Sequence, residues 1–130
     1  MSTAPTGLLL FAHGARDPNW ALPFEAVLSR VREQAPEIAV SLSFLEFMAP
    51  TLLEAGDTLA AAGCTQVAIV PLFLGTGGHV RKDLPLLIEA LRSAHPQVTW
   101  TLRSSIGEAP GVIEAMATAA LRPTDTVNRP

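Results

Sequence analysis

Residues 7–13 read Gly-Leu-Leu-Leu-Phe-Ala-His, a short apolar run that ends in a histidine. Residues 66–79 repeat this arrangement, with the apolar run QVAIVPLFL followed by GTGG and a second histidine. A run of consecutive apolar residues predicts a strand that is covered on both faces, as in a parallel sheet between helices. A segment with helical spacing of its apolar residues follows each run, which is typical of a βα unit.

The same alternation occurs four times along the chain. We predict strands at residues 7–12, 38–44, 66–74 and 98–102, and helices at residues 18–34, 50–63, 83–94 and 111–121. Right-handed crossovers then give an α/β fold: a doubly wound, four-stranded parallel sheet of order 2-1-3-4 with helices on both faces. We expect residues 1–122 to form a single domain and residues 123–130 to be a loose C-terminal tail.

The first predicted helix carries its own start signal. Asp17 is the expected N-cap, and Pro18 lies in the first turn, where its missing N–H has no cost. Helical spacing places the following residues on the inward face: Leu22, Ala26, Val27 and Val31.

Composition excludes several classes of protein. Of the 130 residues, 48% are hydrophobic and 16% charged, which favours a compact fold over disorder. The net charge of −3 argues against nucleic acid as a partner. The single cysteine, Cys64, excludes an internal disulfide and a cysteine-based zinc site, and we expect a small semi-buried residue there. No apolar run is long enough to cross a membrane, so we expect a cytoplasmic protein.

Three side chains with metal-binding chemistry follow neighbouring strands of the predicted sheet. His13 follows strand one, Glu46 follows strand two, and His79 lies in the loop after strand three. Strands lie ~4.8 Å apart, so these side chains can converge at one edge. Two imidazoles and a carboxylate suit Fe, Co or Ni and leave positions open for another ligand. Three simpler interpretations stay open: His13 is a polar loop residue, GTGG is only a tight turn, and Glu46 caps the next helix.

Cations and glycines gather at the same predicted edge, where ligands of doubly wound folds bind. The cations suggest a carboxylate-rich ligand, and the glycines permit close approach of backbone N–H groups to an anion. We predict substrate contacts from Arg16, Gly77, Gly78, Arg81, Lys82 and Arg103. The third histidine, His95, lies at a helix end and is predicted to be structural.

Three segments resemble sirohydrochlorin chelatases of the CbiX type. These are FAHGARDPNW (11–20), FLEFMAPTL (44–52) and VPLFLGTGGHVRKDLP (70–85), in the order found in that family. Ala15 stands where the family commonly has serine, a change that we expect to affect loop hydrogen bonding more than metal binding.

The resemblance implies a class II chelatase fold and insertion of Co²⁺, Fe²⁺ or Ni²⁺ into sirohydrochlorin or a related tetrapyrrole, in cobalamin- or sirohaem-type biosynthesis. It implies that His13 and His79 are the metal-binding and catalytic pair, with Glu46 as a helper. The metal is then a substrate, with Co²⁺ favoured, and no organic cofactor is expected. Because this is a short form, which supplies one wall of a cleft, the resemblance also implies a homodimer with facing carboxyl edges.

Two other functions are compatible with parts of the pattern. A flavodoxin-like module could bind a metal or an anion through GTGGH without turnover. A histidine phosphatase also has a strand followed by His-Gly, but it needs an arginine to hold phosphate where this chain has Ala12.

Overall fold

Four parallel strands form one sheet of order β2-β1-β3-β4 in the computed structural model, which describes residues 6–75 and 77–122. The strands are β1 (Thr6–Ala12), β2 (Ala39–Phe44), β3 (Gln66–Pro71) and β4 (Thr99–Leu102). The helices are α1 (Leu22–Gln34), α2 (Leu52–Ala61), α3 (Gly78–Ala94) and α4 (Pro110–Leu121), with 3₁₀ turns at Pro18–Ala21 and Ile106–Glu108. The predicted fold class and strand order are confirmed. The predicted tail, residues 123–130, lies outside the described residues.

The central strand β1 explains why its sequence is apolar throughout. It pairs with both β2 and β3, and Leu10 lies opposite Leu42 on one side and Val70 on the other. Leu9 and Phe11 point to the opposite face and are fully buried. A strand between two others, with helices above and below, has no solvent face on which polar residues could lie.

The two faces of the sheet bury separate apolar clusters. Helices α2 and α3 cover one face, where the cluster includes Leu9, Phe11, Leu52, Ile69, Leu91 and Trp100. Helix α1 covers the other face, where the cluster includes Leu10, Val40, Leu42, Phe44 and Val70. Ordinary burial of such side chains contributes about 1.5–3 kcal/mol each, so these clusters are the main source of stability.

The start of α1 differs from its prediction. Asp17 is the cap, as predicted, with its Oδ1 accepting from the Asn19 N–H at 2.9 Å, but a 3₁₀ turn precedes α1. Leu22, Ala26 and Val27 are exposed, so the predicted inward face was wrong at these positions. The apolar residues of α1 fit more than one stripe at helical spacing, and spacing alone does not select the stripe that meets the sheet. The side chains that pack on the sheet are Phe24, Leu28 and Val31.

Two other boundaries differ from prediction by more than two residues. β3 ends at Pro71 rather than Leu74, because its partner β1 ends at Ala12 and leaves no strand for later residues to pair with. α3 begins at Gly78, five residues before the predicted start, with Gly77 as its N-cap. Glycine has low helix propensity, so the pattern contained no start signal there.

Helix α2 has a complete set of end signals. Thr51 and Glu54 form a capping box: the Glu54 N–H donates to Thr51 Oγ1 at 3.1 Å, and the Thr51 N–H donates to Glu54 Oε1 at 2.9 Å. The helix stops just before Gly63, which has a φ of +92°. This left-handed conformation is the usual end of a helix and explains the glycine.

His95 has a structural contact, as predicted, and Cys64 is buried rather than semi-buried. Cys64 is buried beneath Gly7, and burial raises the pKa of its thiol. His95 Nε2 lies 2.6 Å from Asp57 Oδ1, which links the end of α3 to α2. Over the part of the chain that the structure describes, no helix is long and apolar enough to cross a membrane.

Gly56 permits the close packing of α2 on α3. A Cβ at Gly56 would overlap the Leu91 side chain and lie 3.3 Å from the Trp100 ring. We expect Gly56→Ala to lower the free energy of unfolding by about 1–3 kcal/mol in urea denaturation, through overpacking. Gly111→Ala is the matched control, because a Cβ there meets nothing within 4 Å. Equal or greater stability of Gly56→Ala would show that Leu91 moves aside freely.

Candidate functional site

Backbone pairing continues past the carboxyl ends of β1 and β2. The Leu45 N–H donates to the Ala12 carbonyl at 2.9 Å, and the Glu46 N–H donates to the His13 carbonyl at 3.0 Å. The first bond closes the last pair of the ladder, Ala12 with Phe44, and the second joins the two segments just beyond it. His13 and Glu46 are thereby neighbours on adjacent chain segments, as the strand order predicted.

The imidazole of His13 rests on an aromatic ring. Its centroid lies 4.2 Å from that of Phe73, with 32° between the ring planes. Phe73 is buried and its ring lies 5.8 Å from Phe11, so the support belongs to the core. His13 itself is exposed. The imidazole thus has a rigid apolar backing and remains accessible to a ligand from solvent.

Gly14 makes the contact between the two strand exits possible. It has a φ of +90°, which favours glycine, and a Cβ at this position would overlap the carbonyl oxygen of Glu46. The HisGly pair in the sequence therefore combines a chemical group with the backbone that positions it.

His79 lies at the same edge of the sheet, but in a helix rather than a loop. It is the second residue of α3, which follows β3 after the connecting residues 72–77. The side chain of His79 lies outside what the structure describes. Among the described side chains, no group of three or more His, Cys, Asp and Glu residues could hold a metal ion. The set of His13, His79 and Glu46 accordingly stays a prediction.

Two of the predicted cations share a cleft. Arg81, in the first turns of α3, and Arg103, directly after β4, line a cleft of about 310 Å³ together with Ser104, Ser105 and Glu108. The Arg103 N–H donates to the Ile69 carbonyl at 2.9 Å, which anchors that segment to β3. Two guanidinium groups and two hydroxyls against one carboxylate favour an anionic ligand in this cleft.

The other predicted substrate contacts are separate from this cleft. Lys82 is exposed on α3 and does not line it. Gly77 and Gly78 form the N-cap and first residue of α3, and a Cβ at either would meet nothing within 4 Å. Contact with a ligand there stays a prediction. A wider cleft, of about 640 Å³, lies between α1 and the edge strand β2, away from His13.

Arg16 has a partner that the sequence analysis missed. Its guanidinium carbon lies 5.0 Å from the ring centroid of Phe47, within the range of a cation–π contact. Phe47 is 58% exposed and follows Glu46 directly. The signal that could have identified it is an aromatic residue just past a strand end, in a chain with only 5% aromatic residues.

Comparisons with known proteins agree on one family. The CbiX family profile matches residues 7–122. A sirohydrochlorin cobaltochelatase from Saccharolobus islandicus is 38% identical over 85 residues, which are 63% of this chain and 62% of that protein. The match thus spans less than two thirds of that relative's length.

Two solved structures share the fold. A cobalamin biosynthesis CbiX protein from Marinobacter aquaeolei has a TM-score of 0.80 and 32% identity, over 89% of this chain and 94% of that one. The sirohydrochlorin chelatase SirB from Bacillus subtilis subspecies spizizenii, solved in complex with cobalt, has a TM-score of 0.79 and 26% identity. That match covers 89% of this chain and 50% of SirB.

Gly14 and Gly63 form a matched pair for testing the contact between His13 and Glu46. Both have positive φ, +90° and +92°, but a Cβ at Gly63 meets nothing within 4 Å. We expect Gly63→Ala to lower the free energy of unfolding by about 1–2 kcal/mol, the cost of a positive φ for alanine. Gly14→Ala should lower it clearly more, because its Cβ also overlaps the Glu46 carbonyl. Urea unfolding of both variants measures the difference. Equal losses would mean that Glu46 shifts without cost and that the contact does not hold the site.

Proposed function

Because the chain belongs to the CbiX family, we propose that it inserts a divalent metal ion into sirohydrochlorin or a closely related tetrapyrrole. The observation that carries the proposal is His13, an exposed imidazole fixed by backbone bonding to Glu46 and backed by Phe73. The similarity to a cobaltochelatase and to a cobalt complex of SirB supports the choice of reaction over phosphate transfer or binding without turnover.

The metal ion is a substrate in this reaction, and His13 and His79 are its proposed ligands. Imidazole nitrogen binds Co²⁺, Fe²⁺ and Ni²⁺, and the names of the relatives favour Co²⁺. Glu46 is proposed as a third ligand or as a base beside them. A site with two or three protein ligands keeps positions open, so that the ion can be transferred rather than retained.

The chemistry requires an exchange of two protons for one ion. A metal-free tetrapyrrole carries two inner N–H groups, so M²⁺ enters as two H⁺ leave. A neutral imidazole can bind the ion through its one lone-pair nitrogen, and that nitrogen can accept a proton near neutral pH once it has released the ion. In the proposed mechanism, the histidines hold a partly hydrated ion over the ring, and the ion moves to the four pyrrole nitrogens. The two inner protons pass to Glu46, or to an imidazole nitrogen that has released the ion, and then to water.

Peripheral carboxylates of the substrate are the proposed ligands of the cations at this edge. The cleft between Arg81 and Arg103 suits one carboxylate, because guanidinium binds carboxylate through two parallel hydrogen bonds. Arg16 and Lys82 are proposed to contact other carboxylates, and the N–H groups of Gly77 and Gly78 an anionic oxygen. The reaction needs no organic cofactor, and a lone cysteine suits the cytoplasm as its compartment.

The two histidines are tested by comparison with the third. We expect His13→Ala and His79→Ala each to lower the rate of Co²⁺ insertion into sirohydrochlorin by at least about 100-fold, since each removes a ligand and a base. His95→Gln is the control, because His95 pairs with Asp57 at the other end of α3 and should keep the wild-type rate. Absorbance spectra of the tetrapyrrole follow the reaction. A wild-type rate in His79→Ala contradicts the assignment.

We also propose that the active form is a homodimer with facing carboxyl edges. One unit offers a single wall to a broad macrocycle, and the match to SirB occupies half of that longer chain. The exposed apolar side chains of helix α4 support association with a second copy. Its sequence, PGVIEAMATAAL, has one charged residue, and its large apolar side chains are exposed: Ile113 by 50%, Met116 by 45% and Leu121 by 86%. An apolar helix without a covering layer is typical of a subunit interface.

A charge on α4 tests the dimer. We expect Met116→Glu to shift the protein from dimer to monomer in sedimentation equilibrium, because a carboxylate is costly to bury in an apolar interface. Leu22→Glu, at a leucine of α1 that is 57% exposed, is the matched control and should stay dimeric. A monomeric wild type, or a dimeric Met116→Glu variant, contradicts the proposed interface.

A further inference from the structure

Phe47 adopts a backbone conformation that costs free energy. Its φ of +66° is left-handed, and among the described residues it is the only one other than glycine with positive φ. A bulky L-residue in this region is disfavoured by roughly 1–2 kcal/mol relative to glycine. The chain could avoid this cost with glycine or asparagine, so the phenylalanine requires a separate explanation.

Internal packing does not provide that explanation. The side chain of Phe47 is 58% exposed, and it belongs to neither of the two apolar clusters of the sheet. Its ring centroid lies 5.0 Å from the guanidinium carbon of Arg16, which is exposed as well. An exposed cation–π pair contributes about 0.5–1 kcal/mol, which is less than or similar to the backbone cost.

The position of Phe47 indicates a ligand. It follows Glu46, whose N–H is bonded to the His13 carbonyl, so the aromatic ring stands at the exit of β2 beside the exit of β1. On the other side of β1, the exit of β3 presents Leu74, which is 71% exposed. The Gly107 N–H donates to the Phe73 carbonyl at 2.9 Å and holds this second segment in place. The segment that carries His13 thus lies between two chain segments that present exposed apolar side chains.

We infer that Phe47 contacts the ring of the tetrapyrrole and, with Arg16 stacked on it, sets the position of the macrocycle over His13. This inference rests on the proposed function. A conjugated ring has a broad apolar face and a margin of carboxylates. Phe47 offers aromatic surface to the face, Arg16 offers a cation to a carboxylate, and Leu74 extends the apolar surface across the His13 side chain.

The test uses the opposite effects that Phe47→Gly should have on stability and on binding. We expect the free energy of unfolding in urea to stay equal or rise, because glycine adopts a φ of +66° without strain. The Kd for metal-free sirohydrochlorin, measured by fluorescence titration, should rise roughly three- to tenfold, the loss expected for one aromatic contact. The Kd for Co²⁺ alone should not change, because Phe47 does not ligate the ion.

Two further variants separate the ring from the loop. Phe47→Asn keeps a side chain that tolerates positive φ, and it should lose binding as Phe47→Gly does, which excludes loop flexibility as the cause. Phe47→Tyr keeps the aromatic face and should retain wild-type affinity. Unchanged sirohydrochlorin affinity in Phe47→Gly, or a clear loss of stability in both Phe47→Gly and Phe47→Asn, overturns the inference. If Phe47→Gly binds sirohydrochlorin more weakly but the wild type inserts no metal, the proposed chelatase reaction is refuted and the role of Phe47 in binding the ring remains.

Discussion

Three backbone hydrogen bonds beyond the strand ends position the chemistry of this protein. The carbonyls of Phe11, Ala12 and His13 accept from the N–H groups of Leu72, Leu45 and Glu46 respectively. They hold the ends of β3 and β2 in register with the end of β1. The three segments that follow these strands therefore start at fixed positions relative to one another. Without them, the residues that follow each strand would be independent loops, and their side chains would have no defined relation to His13.

The residues at this edge of the sheet are of two kinds: some position His13, and others present exposed apolar surface. Phe73 is part of the core and backs His13, and Gly14 permits the close approach of Glu46. Phe47 and Leu74, on the segments that follow β2 and β3, are exposed instead. The positive φ of Phe47 costs free energy that its contact with Arg16 does not clearly offset. The edge therefore combines supporting residues that belong to the core with apolar side chains that remain exposed.

Much of this arrangement could be predicted from the sequence, because it depends on patterns that strands and caps impose locally. The apolar run before His13 and the strand order placed His13 beside Glu46, and Asp17 was recognisable as a cap. The predictions were wrong where the local pattern allows more than one structure. The apolar residues of α1 fit more than one helical stripe, and the glycines at the start of α3 gave no sign that His79 lies in a helix. The φ of Phe47 and the shared cleft of Arg81 and Arg103 depend on tertiary contacts, which no periodicity reports.

In the proposed site, two imidazoles from the exits of β1 and β3 bind one ion, which stays open to a further ligand. X-ray absorption spectroscopy of the Co²⁺-loaded protein measures this coordination. We expect two histidine nitrogens in the first coordination sphere, with the remaining positions taken by oxygen from water or a carboxylate. A spectrum with oxygen ligands alone, or one that is unchanged when either His13 or His79 is replaced, would contradict it.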